Sequence, residues 1–76
     1  MTGVPVADEI RAEMVANVAK IMVAEGDEVA EGATLVILES MKMEIPVLTE
    51  QPGRVREVAV AEGDVIQEGD LIAVVD

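Results

Sequence analysis

The sequence predicts an all-β domain made of two copies of one four-stranded unit, and three observations predict it. Residues 18–32 (Val-Ala-Lys-Ile-Met-Val-Ala-Glu-Gly-Asp-Glu-Val-Ala-Glu-Gly) lie over residues 55–69 at a constant offset of 37, with eight of fifteen pairs identical. Such internal self-similarity marks a repeated structural unit. Valine, isoleucine and threonine make up 23 of the 76 residues, and β-branched side chains fit a pleated surface better than a helix. Within each half the apolar residues alternate: Ile21 and Val23 with Lys20 and Met22, Val58 and Val60 with Glu57 and Ala59. That is the period of a strand with one apolar face.

Taken in order, the first segment is the ambiguous one. Ile10, Met14, Val18 and Met22 are spaced by four behind Asp8 and Glu9, the pattern of an amphipathic helix start. The matching stretch of the second half contains Pro46, Pro52 and Gly53, which a helix does not accommodate. If the halves share a fold, both stretches are extended. Glu25-Gly26-Asp27 and Glu62-Gly63-Asp64 then close the next strands. Glycine supplies a positive φ there and aspartate bonds its own backbone. A short strand follows (Val29; Val65-Ile66), then Gly32 or Gly69, then a longer strand over 35–39 or 71–75. Fainter matches (Ile10 over Val47, Glu13 over Glu50) extend the halves to 8–39 and 45–76. The expected organisation is a tail over 1–8 and one domain over 9–76, with a joint at 40–44 between the halves.

Composition removes several functions. The chain has 16 acidic and 5 basic residues, a net charge of −11, and no histidine, cysteine or aromatic residue. Zinc sites, thiol nucleophiles and disulfides are therefore excluded. Phosphate is repelled and no ring can stack a base, so nucleic acid is not an expected partner. No uncharged run exceeds the length of 32–38, far short of the ~18–20 residues that span a bilayer, so no membrane partner is expected either. The first residues lack the basic flank and apolar stretch of a secretory signal. With no disulfides, the cytoplasm is the expected location. Each Glu-Gly-Asp block offers two carboxylates, short of the six to eight oxygens calcium takes. These blocks read as turns, and no metal site is expected.

The joint is Ser40-Met41-Lys42-Met43-Glu44, with Lys42 at the midpoint between the halves. Under pseudo-twofold symmetry it is expected near the axis. It must turn tightly, yet its apex has no Gly, Pro, Asn or Asp, the residues that favour such turns. A broken local rule of this kind marks a candidate functional site. Two methionines flank the tip, where an exposed turn is normally polar.

Glu39-Ser40-Met41-Lys42-Met43-Glu44, together with both Glu-Gly-Asp turns, resembles the biotinyl/lipoyl attachment domains, whose biotinyl members carry Ala-Met-Lys-Met in this turn. The similarity runs from about residue 9 onwards and is closest to the biotin carboxyl carrier type, in single-domain form. It implies a flattened β-barrel of two four-stranded antiparallel sheets with pseudo-twofold symmetry, a barrel-sandwich hybrid with its attachment lysine on a hairpin tip. It further implies that Lys42 takes biotin from a biotin protein ligase and serves biotin carboxylase and carboxyltransferase partners, with no catalytic site in the domain itself. Lipoyl members usually have Asp-Lys-Ala, so Met41 and Met43 favour biotin over lipoate. Both methionines are expected to form an apolar recognition rim, adaptable to several partners. Ser40 replaces the commonest alanine, and Glu39 and Glu44 flank the tip, where they steer towards basic surfaces or are simply solvated. Glu13 and Ala16 stand where Pro and Gly are frequent, so the first bend is expected to be looser than that at Pro52-Gly53. The short span 26–32 leaves no room for the protruding thumb of some bacterial carriers. Lys20, in mid-strand, reads as a solvated charge. The competing readings are a lipoyl carrier on the same lysine, a helical phosphopantetheine carrier on Ser40, and an unmodified interaction or regulatory module.

Overall fold

The computed structural model describes residues 7–76, and these residues form eight strands and no helix. They are β1 (Asp8–Arg11), β2 (Ala16–Ile21), β3 (Glu28–Val29), β4 (Thr34–Ser40), β5 (Met43–Leu48), β6 (Gly53–Val58), β7 (Val65–Ile66) and β8 (Leu71–Val75). Two four-stranded antiparallel sheets result, ordered β1-β8-β6-β3 and β5-β4-β2-β7. Most of the expected tail lies outside the described residues; Asp8 pairs with Val75 at the start of β1.

Shifting each residue by 37, upwards from the first half and downwards from the second, converts one sheet into the other. Ile10↔Ala73 and Arg11↔Leu71 in the first sheet become Val47↔Val36 and Leu48↔Thr34 in the second, with the register shift in the same place. The links between sheets obey the same rule: Gly26 N–H donates to the Val55 carbonyl and Gly63 N–H to that of Val18, both at 2.8 Å. Each half therefore completes the hydrogen bonding of the other.

The symmetry corrects one expectation. The same shift carries the β4–β5 pair Leu38↔Ile45 onto the β8–β1 pair Val75↔Asp8. The joint at 40–44 is thereby exchanged with the region of Ala7 and Asp76, so it lies off the axis. The tip lies at one pole and Ala7 and Asp76 at the other.

The core is itself duplicated. Leu35 and Ile72 are buried and equivalent, as are Val18 and Val55, and Leu38 and Val75. Burying each such side chain contributes roughly 1.5–3 kcal/mol. The four-residue spacing of the first segment forms no common face: Val18 is buried and Ile10 partly so, while Met14 and Met22 are exposed. Strand period wins over helix period because the partner strands bury alternate residues.

The first bend is not the looser one. Ala12 N–H donates to the Asp70 carbonyl and Gly69 N–H to that of Ala12. Thr49 N–H to Ala33 and Gly32 N–H to Thr49 repeat the arrangement in the second half, all at 2.8–3.0 Å. Each bend also has a side-chain tie of its own. Arg11 Nη1 donates to the Gly69 carbonyl (3.0 Å) at the first, and Thr49 Oγ1 to that of Gln51 (2.7 Å) at the second. Glycine is required only at the second, where a Cβ on Gly53 would overlap the Asp76 carbonyl oxygen.

Candidate functional site

Strands β4 and β5 meet in the tightest hairpin the register permits. Ser40 pairs with Met43, leaving a two-residue loop, Met41-Lys42. Their φ angles are 53° and 69°, and among the described residues they are the only non-glycines with positive φ. Positive φ at both central residues is the signature of a type I′ turn, whose twist matches that of the flanking strands and which normally takes Asn-Gly. An ordinary L-residue in this region costs roughly 1–2 kcal/mol. The strands force the geometry, and the sequence retains side chains unsuited to it.

Those side chains project into solvent. Met41 is 89% exposed and Met43 61%, and Lys42 is exposed between them. Lys42 takes part in no salt bridge among the described residues, where the only two are Arg11–Glu9 (2.9 Å) and Arg56–Asp76 (3.6 Å). Ser40 is half-buried beneath the turn. Glu39 and Glu44 lie directly opposite one another across the hairpin, and the neighbour of Glu39 on its other side is Asn17. Like charges so placed repel, and Lys42 is the only base in the tip. Lys20 is opposite Ile37, down β2 from Asn17 and away from the turn.

A cleft of about 430 Å³ opens beside the tip, walled by Glu39, Ser40, Met41 and Lys42 on one side and by Val15, Ala16, Asn17 and Val65 on the other. A second, of about 320 Å³, runs between edge strands β1 and β5 and does not include the lysine. Val15, Asn17 and Val65 are the site residues that sequence reasoning missed. Strand pairing brings them in: Ala16 and Asn17 of β2 are opposite Ile66 and Val65 of β7. A signal was present in the repeat, since Val65 replaces Glu28 and Val15 replaces Pro52 at the offset of 37.

The turn carboxylates are occupied with structure. Asp27 accepts from Ala24 N–H and Asp64 from Ala61 N–H, both at 2.9 Å. Glu62 accepts from Ile21 N–H (3.1 Å) and Glu25 from Val58 N–H (3.3 Å), each reaching into the opposite half. No cluster suited to a metal occurs among the described residues. A phosphopantetheine carrier is ruled out, because Ser40 ends a strand in an all-β fold. What the site offers is one primary amine at the apex of an exposed, rigidly paired hairpin. Such an amine fits acylation by a prosthetic group, since nothing beside it must move to admit one.

Comparison with known proteins agrees with this geometry. A family profile described as biotin-requiring enzyme matches residues 4–75. A biotinylated protein TB7.3 homolog from Mycolicibacterium smegmatis is 63% identical over 70 residues, 92% of this chain and 99% of the relative. One from Mycobacterium leprae is 57% identical over 69 residues, covering 91% and 97%. Among solved structures, Kluyveromyces lactis urea carboxylase superposes with a TM-score of 0.88 at 30% identity, over all of this chain and 7% of that one. The chain belongs to the biotin-requiring family of biotinyl/lipoyl attachment domains.

Proposed function

We propose that Lys42 is the residue that carries biotin, that a biotin protein ligase attaches it there, and that the loaded domain conveys a carboxyl group between a biotin carboxylase and a carboxyltransferase. The observation that carries this reading is an unpaired, exposed lysine at positive φ on the apex of the β4–β5 hairpin. Once its ammonium has given up a proton, the Lys42 amine attacks an acyl carbon activated within the ligase. A C–N amide bond forms and the activating group leaves with the bonding electrons. Lysine reaches such a centre on a long stem while the strand pairs stay intact.

Bound biotin supplies a nitrogen that accepts and releases the carboxyl group. The chain supplies position. The amide removes the only positive charge at the tip, and the linked stem becomes a tether of roughly 12–16 Å, from bond lengths of about 1.5 Å. Tethering holds the group at raised effective concentration near both partner sites. Met41 and Met43 present an adaptable apolar rim to those partners, and Glu39 and Glu44 favour approach by basic surfaces. The likeness to a segment of urea carboxylase supports carboxylase partners.

The test is the Lys42→Arg variant, which keeps the charge but offers no acylatable amine under these conditions. Incubated with a biotin ligase and ATP, the native chain should gain one biotin by intact mass and the variant none, while Lys20→Arg behaves as native. An adduct on Lys42→Arg, or a lipoyl mass in material from the native host, refutes the proposal.

A further inference from the structure

The cleft beside the tip has two exposed aliphatic side chains on its far wall. Val15 and Val65 are 62% and 67% exposed. Single exposed aliphatics are ordinary, but these two face one cleft, and they stand where the other half of the repeat has Pro52 and Glu28. Asn17 and Ser40 add an amide and a hydroxyl, able to donate and to accept hydrogen bonds. Lys42 itself lines the cleft, so any group on its amine begins at the cleft's margin.

We infer that the cleft between the Ser40–Lys42 turn and the Val15–Asn17–Val65 wall is a parking site for the biotin ring system tethered to Lys42 of the same chain. This inference rests on the attachment reading above. The distances allow it: β7 is two strand positions from β4, or about 10 Å at the usual strand spacing, within the tether's reach. The chemistry matches as well. The sulfur-containing ring is apolar and suits the valines, and the ureido group both donates and accepts, as Asn17 and Ser40 can answer. The occupant is neutral, and acylation of Lys42 removes the one cation lining the cleft, leaving the Glu39 carboxylate as an acceptor for the ureido N–H groups. Affinity need not be high. A short flexible tether gives an effective concentration in the millimolar range, so a site with a millimolar dissociation constant is about half filled. The tip would then exchange between a stowed and an extended group, and a partner would capture only the extended fraction.

The experiment uses the chain biotinylated on Lys42, with the chain acetylated at Lys42 as a control for loss of charge. Two-dimensional 1H–15N spectra should show shifts at Val15, Asn17 and Val65 with biotin but not with acetyl, and ring protons should give nuclear Overhauser contacts to the valine methyls. Val65→Glu should abolish both and raise the rate of streptavidin capture about twofold. This variant should fold, because Val65 is exposed and its repeat counterpart is Glu28; an unchanged circular dichroism spectrum checks this. Shifts confined to 40–43, or a capture rate indifferent to Val65→Glu, overturn the parking site and leave the attachment reading standing. Absence of any adduct on Lys42 by mass overturns both.

Discussion

Replacing Met41 by asparagine should make the protein more stable and, under the attachment proposed above, a poorer substrate for a biotin protein ligase. Met41 has φ 53°, a conformation that costs an ordinary residue about 1–2 kcal/mol. Asparagine tolerates it because its short side chain bonds the local backbone, recovering on the order of half of that. Little packing is lost: Met41 is 89% exposed, so only about a tenth of a methionine's 1.5–3 kcal/mol burial energy is in play, roughly 0.2–0.3 kcal/mol. The net gain is about 0.3–0.7 kcal/mol, or a rise in Tm of about 2–5 °C for a domain of this size. Thermal and urea unfolding should be followed by far-ultraviolet circular dichroism, since the chain has no aromatic residue. Met43→Asn is the control. Met43 is in β5 outside the positive-φ loop and should gain nothing. Biotin uptake by Met41→Asn should fall, because part of the apolar rim is gone. A Tm below that of the native chain, or an equal gain from Met43→Asn, would refute the argument that the turn is strained.

Two further predictions concern the framework. Gly26→Ala and Gly63→Ala each place a side chain at φ near +90° in open space, so each should cost roughly 1–2 kcal/mol through backbone strain alone. The two costs should agree, and a urea titration showing only one variant destabilised would contradict the equivalence of the halves. Thr49→Val removes a buried hydroxyl that donates to the Gln51 carbonyl (2.7 Å) and accepts from its N–H (3.3 Å). It should cost about 1 kcal/mol, and an unchanged urea midpoint would mean that the second bend is held by its backbone bonds alone.

The eight strands were legible because the chain states its pattern twice. Ile10, Met14, Val18 and Met22 taken alone favour a helix, and Pro46, Pro52 and Gly53 in the equivalent stretch overrule it. The tip was legible for a negative reason: Met41 and Lys42 occupy a tight turn that offers none of the usual turn formers. The position of the tip relative to the symmetry axis was not legible, because an offset in sequence does not specify the operation in space until strand pairing is known. The cleft wall was hidden for a similar cause. Val15 and Val65 are distant in sequence and meet beside Lys42 only through the pairing of β2 with β7. The bends show compensation of the same non-local kind, Arg11 reaching Gly69 where the other half uses Thr49.

The opposite placement of the hairpin apex and of Ala7 and Asp76 has a practical consequence. A linker or cargo joined at either of those residues starts at the remote pole and leaves the modifiable amine unobstructed. The module can thus be grafted onto an unrelated scaffold without redesign, and an enzyme acting on the apex would meet the same docking face whatever hangs behind it.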